Sequence, residues 1–554
     1  MNEGLIPRHD AGGGILSEYD REELERADAK LSPTARETMY QQKFHLYRNL
    51  TKPSERLYLS FAKAGASGEA QNPSYLINEI RKLFPEIQVR DIEKKEQPEE
   101  RLEMPRSGEA LFLEELGKAA EGESDPLFEE LYRWYAAHPE AGIPAETYRK
   151  AAFLRCADGV IGRSAASALY GDSLKNSATR LEKYAACAFA HFMEFGLQIR
   201  ERDQYELKAA DMGTVMHEAL EKFSKKLQEN GETWKTVTDD TRDRLIEECV
   251  EETMADYGNT IFQSSSRNQY RIIRVKRILK RTVWALQQQI RQGEFEPGEF
   301  EVSFSMEDSL SAINIDLSEH EKMRLRGRID RVDLCETDDK VYVKIIDYKT
   351  GNTSLDLVAL YYGLQLQLAV YLDAAVELEQ KKHPGKQVEP AGVFYYHIDD
   401  PMLDQEEDET DEAWGRRMLK ALRMDGLVNA DRKVVELLDR VLEDGTTSDV
   451  IPVGKKKDGS YTSYSKVASP EQFDVIRTYT RKKVREIGEG IFSGNVKISP
   501  YQRDGATACA YCEYQGICGF DQKIQGYEYR KLKGMDTELL MKAMQEITQS
   551  DQKE

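Results

Sequence analysis

Two aspartates and a lysine in the stretch from Gly327 to Gly351 have types and spacing that suit hydrolytic chemistry. Sixteen residues separate Asp330 from Asp347, and Lys349 follows two positions later. Carboxylate oxygens hold hard cations such as Mg²⁺, which activate water and offset charge on a phosphate. A lysine beside them can orient the water or stabilise the growing negative charge. The pattern therefore suits metal-dependent cleavage of a phosphodiester bond.

The hydrophobic pattern predicts that strands position these side chains. Val341, Val343 and Ile345 alternate with more polar neighbours, which is typical of a strand. Side chains on a strand share a face at every second residue, so Asp347 and the lysine after it continue this face. A first strand ending near Asp330 can lie alongside and bring the two carboxylates together. The same spacing is also typical of an ordinary surface hairpin, so other parts of the chain must decide.

Two helices are predicted to flank these strands. Residues 211–227 carry an apolar stripe that predicts an amphipathic helix, capped by its first residue and bearing His217. Residues 357–380 predict a single second helix, on which Gln367 and Tyr371 share a face because they are four residues apart. Side chains of these types on helices are more often structural than functional. Neither helix therefore identifies a site by itself.

Four cysteines form a second constellation. Cys509, Cys512 and Cys518 lie close together in a loop of small and aromatic residues, and Cys187 is the candidate for a fourth thiolate. So compact a triplet indicates a metal site. With one distant cysteine it fits a 4Fe–4S cluster better than zinc, which stays open as the alternative. Such a centre would close a loop of about 330 residues and constrain the unfolded chain by roughly 5 kcal/mol.

Length and charge bound the class of protein. The chain has 554 residues, which predicts two to four domains, and a formal net charge of −21. That charge argues against general nucleic-acid binding, but basic residues cluster locally. Seven of them are predicted to contact DNA phosphates: Arg271, Arg274, Lys276, Arg277, Lys455, Lys456 and Lys457. No apolar run of about 18 residues and no signal peptide occur, which predicts a cytoplasmic protein.

The motifs follow one another in an order that resembles a known family. They are Cys187, G-x3-H-E at 213–218, GRIDRVD at 327–333, DYKTG at 347–351, QLAVY at 367–371 and C-x2-C-x5-C at 509–518. This order resembles the RecB-type branch of the PD-(D/E)xK nucleases, in its version with an iron–sulfur staple. Within that branch it is most similar to the B subunits of bacterial AddAB-type ATP-dependent helicase/deoxyribonucleases. Each motif is weak alone, and their shared order makes the resemblance specific.

The resemblance implies a role for each site residue. It assigns four ligands to Mg²⁺: His217, Asp330, Asp347 and the backbone carbonyl of Tyr348. It makes Lys349 the catalytic lysine and lets Gln367 and Tyr371 support the site or the DNA. It assigns a 4Fe–4S cluster to Cys187, Cys509, Cys512 and Cys518.

The resemblance also implies an activity and a partner. The expected enzyme is a Mg²⁺-dependent exonuclease that degrades single-stranded DNA, in this family the strand that ends in 5′. It would act in a heterodimer with an AddA-type helicase–nuclease subunit, at double-strand breaks that are processed for homologous recombination. No GxxxxGKS/T phosphate loop occurs, so no ATPase activity is expected, and the chain is expected to correspond to the C-terminal half of a longer protein.

The implied fold is α/β in four parts. Residues 1–105 resemble a remnant of an inactivated, superfamily 1-like helicase domain, with a predicted strand at Leu57–Phe61. Residues 106–176 are predicted to be a helical connection. Residues 177–525 are expected to form the nuclease domain, a mixed central sheet flanked by helices and stapled by the cluster. Residues 526–554 are predicted to be a charged helix or tail.

Two other functions fit part of this pattern. One is a DNA-binding scaffold subunit whose nuclease site is vestigial, although every expected site residue is present. The other is a stand-alone iron–sulfur exonuclease of the CRISPR-associated type, although those chains are shorter and lack the helicase-like part. A Mg²⁺ titration with single-stranded DNA tests the first function, and a pull-down with the helicase partner tests the second.

Overall fold

The structure, a computed structural model, divides into two compact units. It describes residues 1–6, 17–27, 29, 31–65, 68–91, 102, 105–123, 126–154, 159–171, 173–202, 204–255, 257–258, 260–304, 310, 314–318, 321–404 and 409–550. One unit comprises Met1–Ala119 and Ser124–Pro144, and the other comprises Ala120–Glu123 and Ala145–Glu554. Among the described residues, no helix combines the length and the apolar character that crossing a membrane requires.

The first unit is built from helices. They are Glu18–Arg26, Ala35–Thr51, Tyr75–Leu83, Pro105–Ala120 and Pro126–Ala137, with a 3₁₀ turn at Pro139–Ala141. The strand predicted at Leu57–Phe61 is wrong, because none of its residues joins a β-ladder. The backbone just after it is satisfied by a side chain instead: the Asn2 amide donates to the Ala62 carbonyl at 2.6 Å and accepts the Ala62 N–H at 3.0 Å.

The second unit contains twelve strands among its described residues, numbered here in chain order. They are β1 (Ser173–Asn176), β2 (Glu296–Phe304), β3 (Asn314–Asp316), β4 (Lys322–Leu325), β5 (Gly327–Glu336), β6 (Lys340–Lys349), β7 (Gln387–His397), β8 (Asp425–Asn429), β9 (Val467–Ala468), β10 (Tyr501–Arg503), β11 (Ala506–Thr507) and β12 (Arg530–Lys531). Six of them form the central sheet in the order β2-β5-β6-β7-β8-β9. The pairs β6–β7 and β8–β9 are parallel and the other three pairs are antiparallel, so the predicted mixed sheet is confirmed.

Helices cover both faces of this sheet. The α-helices of the second unit are Ala145–Ala152, Arg163–Tyr170, Ala178–Ala186, Ala188–His191, Ala209–Glu229, Asp239–Ala255, Ser266–Gln292, Leu357–Tyr361, Gln367–Lys382, Asp411–Ala421, Arg432–Leu438, Pro470–Phe492, Gln515–Cys518 and Thr537–Ser550. A π-turn spans Phe192–Gly196 and a 3₁₀ turn spans Ile261–Gln263.

Two hydrophobic cores separate the sheet from its helical layers. In one core, Ala209–Glu229, Asp239–Ala255 and Ser266–Gln292 pack on Ile346 and Phe394 of the sheet. In the other core, Gln367–Lys382 and Pro470–Phe492 pack on Val343, Ile345 and Val393. The alternation of side chains along β6 and β7 sends successive residues into opposite cores. Because both faces are covered, these central strands are apolar on both faces.

Two predicted helices differ from the observed ones at their ends. The single helix predicted over 357–380 is broken in two, because Gly363 adopts φ +78°, a left-handed conformation that ends a helix. The helix predicted over 211–227 starts two residues earlier, with Lys208 at the N-cap position. Asp211 therefore lies in the first turn, where its carboxylate accepts the Lys208 N–H at 2.7 Å. The break after Gly363 places Gln367 at the start of its own helix.

Candidate active site

Asp330 and Asp347 lie close together where the antiparallel strands β5 and β6 separate. Arg331 and Ile346 are the last pair of the β5–β6 register, and Asp330 and Asp347 lie next to this pair, one on each strand. The charge of Asp330 acts on Asp347. Both carboxylates are buried, with 8% and 1% of the residue exposed. The strands thus bring together the two acids that their spacing predicted.

A third carboxylate, Glu301, faces Asp330 from β2. The residues on either side of Glu301 pair with those on either side of Asp330. Glu301 also adopts φ +51°, a backbone conformation that is uncommon for a residue other than glycine. Strained backbone of this kind concentrates at functional sites. Glu301 belongs to no local sequence motif, because its place depends on the register of β2 against β5.

His217 completes a group of possible metal ligands. The His217 Nδ1 atom lies 3.3 Å from Oδ2 of Asp330. His217, Glu301 and Asp330 each offer one ligand atom, and these three atoms lie within 4.8 Å of one another. Two carboxylates and one imidazole suit a divalent cation. In the described part of the chain this is the one such group of three or more residues, and Asp347 is not a member of it.

Asp347 is instead held in a network with Lys349 and Gln367. Lys349 Nζ lies 2.5 Å from Asp347 Oδ2, and the Gln367 amide donates to Asp347 Oδ1 at 2.8 Å. The same amide accepts a hydrogen bond from Lys349 at 3.0 Å and donates to the Tyr371 hydroxyl at 3.3 Å. Gln367 therefore orients both the acid and the lysine at the end of β6.

The main chain of Tyr348 also contacts the Asp330 carboxylate. Its N–H donates to Asp330 Oδ2 at 2.7 Å. Its side chain lies in the core on the opposite face, where its ring makes edge contacts with the His217 and Tyr396 rings. The Tyr348 side chain is therefore buried in this core, where it packs against the His217 ring, while the Tyr348 backbone faces Asp330.

The clustered acids perturb one another's ionisation. Burial and the nearby Asp330 raise the pKa of Asp347 to about 6 and that of Glu301 to about 7. Burial opposes the imidazolium form of His217, but the hydrogen bond and charge of Asp330, with Asp347 and Glu301, raise its pKa overall. Crowded negative charge of this kind is relieved by a bound cation. Perturbed groups in one place are typical of functional sites.

A half-buried acid connects this site to the segment that carries Cys187. The Glu182 carboxylate accepts the N–H groups of Leu366 at 2.6 Å and Gln367 at 3.0 Å. Glu182 belongs to the helix Ala178–Ala186, whose C-cap residue is Cys187. The carboxylate thus satisfies backbone donors at the start of the helix that carries Gln367. Glu182 carries no recognisable signal in the sequence, because its partners lie 184 and 185 residues away.

The four cysteines predicted to bind a cluster come together in space. Cys187 is buried and the other three are half-buried. Cys187 and Tyr514 share a small core, against which Cys512 packs. Burial, together with the neighbouring Cys187, Cys512 and Cys518, raises the pKa of Cys509. In the part of the chain that the structure describes, no three of these sulfurs lie within 4.8 Å of one another.

The basic residues predicted to contact DNA lie in different surroundings. Arg274, Lys456 and Lys457 are exposed. Lys276 is paired with Glu251, Arg277 is paired with Asp400, and Arg271 donates to the Leu207 carbonyl at 3.5 Å. Lys455 is 5% exposed and its ammonium donates to the Leu442 carbonyl at 3.5 Å, so its prediction as a phosphate contact is wrong. Because Lys455 precedes two exposed lysines in the sequence, its burial could not be predicted from the sequence.

Comparison with known proteins adds the family. Residues 175–519 match the PD-(D/E)XK nuclease superfamily. The chain is 41% identical over 546 residues to the B subunit of the ATP-dependent helicase/deoxyribonuclease of Lachnoclostridium phytofermentans, covering 97% of this chain and 46% of that protein. It is 34% identical over 553 residues to the protein of the same name from Alkaliphilus metalliredigens, covering 99% of this chain and 48% of that one. The chain therefore spans about half the length of these relatives.

The matched region contains β2, β5 and β6, the helices that carry His217 and Gln367, and all four clustered cysteines. It covers more than half of the 554 residues. Its central sheet is mixed and covered by helices on both faces. The chain belongs to the PD-(D/E)XK nuclease superfamily.

Proposed function

We propose that this chain is the Mg²⁺-dependent deoxyribonuclease part of a helicase–nuclease complex, within its B-type component, and that it cleaves single-stranded DNA. The observation that carries the proposal is the group of His217, Glu301 and Asp330 beside the Asp347–Lys349 pair. A cation site adjoining a fixed lysine is the arrangement that phosphodiester hydrolysis needs. The relatives named as parts of helicase/deoxyribonucleases support the same activity.

The donor atoms fit Mg²⁺, which prefers oxygen ligands and keeps several waters. Glu301 and Asp330 would supply two carboxylates and His217 an imidazole. Asp347 and the Tyr348 carbonyl are proposed as further ligands on the same edge of the sheet. The metal, when bound, would lower the pKa of a coordinated water and offset the charge of the phosphate. Burial and then the charge of Asp330 raise the pKa values of Glu301 and Asp347, and a bound cation would relieve this cost, which supports the assignment.

Lys349 is proposed as the catalytic lysine. Asp347 and Gln367 hold its ammonium in one position, so little ordering is needed when the substrate binds. From there it would donate a hydrogen bond to the attacking water or to a non-bridging phosphate oxygen. Gln367 and Tyr371 would act through this arrangement, by keeping the amide in the orientation that joins the acid and the lysine.

A 4Fe–4S cluster is proposed for Cys187, Cys509, Cys512 and Cys518. A compact triplet of cysteines with one distant cysteine is the pattern that favours this cluster over zinc. The four side chains lie near one another, as the interactions of Cys509 with the other three indicate. The proposed role is structural, because the loop that this centre would close contains every residue of the candidate active site.

The family resemblance is the basis for proposing which DNA strand is degraded and which subunit is the partner. We propose that the strand degraded is the one that ends in 5′, and that the chain works in a heterodimer with an AddA-type subunit. The complex would process double-strand breaks for homologous recombination. Because the chain spans about half of each relative, cleavage by this chain and cleavage by the heterodimer are to be measured separately.

The test uses end-labelled single-stranded DNA and a Mg²⁺ titration. Asp347→Ala should abolish cleavage while the melting temperature stays near that of the parent chain. Asp474→Ala removes an exposed carboxylate from the helix Pro470–Phe492 and serves as the matched control, which should cleave normally. Cleavage retained by Asp347→Ala would contradict the site assignment. DNA binding without cleavage by the parent chain would favour the scaffold function instead.

A further inference from the structure

A cavity of about 260 Å³ lies beside the start of the helix Ala178–Ala186. Its lining residues are Lys175, Ser177, Arg180, Glu194, Phe195, Gln198, Arg200 and Arg326. Four of them are basic and one is acidic. The acidic one, Glu194, lies 3.0 Å from Lys183, so much of its charge is offset by a lysine that does not line the cavity. The cavity therefore concentrates positive charge in a chain whose formal net charge is −21.

Arg180 is held rigidly at this cavity. It donates through Nη1 to the Lys175 carbonyl at 2.8 Å and through Nε to His191 Nε2 at 3.2 Å. Its guanidinium lies over the Phe195 ring at 4.9 Å and the Tyr170 ring at 5.4 Å. The head group is thus fixed by neutral partners on several sides. Its orientation is set before any ligand arrives.

The charge of Arg180 is not compensated by an acid. No carboxylate of the described residues lies within 4 Å of Arg180, Arg200 or Arg326. Burial and the charge of Arg326 lower the pKa of Arg180, so these cations interact unfavourably. A half-buried cation near a second one costs free energy that an anion would recover. Guanidinium groups match the oxygens of a phosphate in geometry as well as in charge.

The cavity lies close to the candidate active site along the chain. Arg326 separates β4 from β5, and its N–H donates to the Asn176 carbonyl at 2.8 Å. It precedes Asp330 by four residues, so their Cα atoms are at most about 14 Å apart. Phosphates recur every few ångströms along a nucleic-acid strand. A strand with its scissile phosphate at Asp330 can therefore present a neighbouring phosphate to this cavity.

We propose that the cavity binds an internal phosphodiester group of the single-stranded DNA substrate, with Arg180, Arg200 and Arg326 as the contacting cations. This inference rests on the proposed nuclease function and adds a substrate contact to it. A contact of this kind positions the strand without reading its sequence. The contribution of this contact to the binding affinity should therefore be equal for strands of different sequence.

The test measures the affinity of the full chain for single-stranded DNA over a series of salt concentrations. EDTA is present so that no cleavage occurs. The variant Arg200→Gln/Arg326→Gln neutralises two exposed side chains, whereas Arg180 is left intact because it packs on aromatic rings. The matched control Arg244→Gln/Lys420→Gln removes the same charge from two exposed positions of the same unit. The oligonucleotide carries a 5′-hydroxyl.

The cavity variant should bind more weakly than the control at every salt concentration. The slope of log K against log salt should be smaller by roughly 0.7 for each phosphate that the variant no longer neutralises. Equal affinities and slopes for the cavity variant and the control would overturn the inference. A deficit that appears only with a 5′-phosphorylated oligonucleotide would assign the cavity to a terminal phosphate and overturn the internal assignment.

Cleavage in Mg²⁺ is measured on the same preparations. A parent chain that binds but does not cleave contradicts the proposed function, while the binding data still decide on the cavity. A parent chain that does not bind single-stranded DNA overturns both. A cavity variant that binds weakly and cleaves slowly at low DNA concentration, but approaches the parent rate at saturation, is the expected result.

Discussion

The Glu182 carboxylate accepts the backbone N–H of Gln367 at 3.0 Å, and this bond joins the segment that ends at Cys187 to the helix that covers the active site. Gln367 in turn donates to Asp347 and accepts from Lys349. Glu182 is therefore connected to Lys349 only indirectly, through Gln367. No hydrogen bond of the described residues joins Glu182 to Lys349 or to a candidate metal ligand. We therefore propose that Glu182 is a positioning residue.

Replacement of Glu182 by alanine should lower kcat strongly and the free energy of unfolding only slightly. Two N–H groups at the helix start would lose their acceptor, which costs about 1 kcal/mol in the free energy of unfolding. A displacement of the lysine by about 1 Å could cost up to about 100-fold in rate. KM should change little. Steady-state kinetics on single-stranded DNA and thermal melting provide the two readouts.

Glu182→Gln is the control for that prediction, because its amide oxygen can still accept both N–H groups. It should retain most of the parent kcat. Equal losses in the alanine and glutamine variants would show that the hydrogen bonds do not position Gln367.

Substitution of Glu301 by glutamine should weaken Mg²⁺ binding. The change removes one carboxylate from the group formed with His217 and Asp330 while keeping the size of the side chain. The Mg²⁺ concentration for half-maximal cleavage should rise at least about tenfold. Glu296→Gln on the same strand is an exposed control and should leave the titration unchanged. An unchanged titration for Glu301→Gln would remove Glu301 from the ligand set.

The two aspartates of the GRIDRVD motif should affect different properties when mutated: Asp333 the stability of the fold, and Asp330 the cleavage of DNA. Asp333 is fully buried, where it accepts from Arg331 at 2.6 and 2.8 Å and lies 2.6 Å from Lys344. Asp333→Asn would leave two buried cations without their carboxylate and should cost on the order of 3–5 kcal/mol in the free energy of unfolding. Asp330→Asn should abolish cleavage with a far smaller effect on stability. Urea denaturation of both variants, beside a cleavage assay, tests the contrast.

The two aspartates of this site could be predicted from the sequence, because the strands that carry them show a local two-residue hydrophobic repeat. The two-residue repeat of β6 was enough to place Asp347 on the same face as Val343 and Ile345, near the end of β5 that carries Asp330. Glu301 could not be found in this way, since its role depends on a long-range register and on a backbone conformation that its side chain disfavours. Glu182 acts through main-chain donors far away in sequence, which leave no side-chain motif.

The helix break at Gly363 was hidden for a related reason. Apolar residues continue through 357–380, so the hydrophobic pattern predicts one helix and gives no sign of the left-handed turn. Lys455 was misread because charge in sequence does not report burial. What the sequence did carry was the order of weak motifs, and that order was sufficient for the superfamily.

Substitution of Cys187 should show whether the proposed cysteine centre acts on stability or directly on catalysis. Cys187→Ala deletes the one ligand that is distant in sequence from the other three, so a chain purified without oxygen should lose iron and visible absorption. The closed loop of about 330 residues would open, and the free energy of unfolding should fall by up to roughly 5 kcal/mol. Cys249→Ala changes a buried cysteine outside the proposed cluster and should keep the parent iron content. Because Cys187 ends the helix that bears Glu182, any loss of kcat in Cys187→Ala should accompany the loss of iron and the lower melting temperature. Loss of activity with iron and melting unchanged would contradict the structural role of the centre.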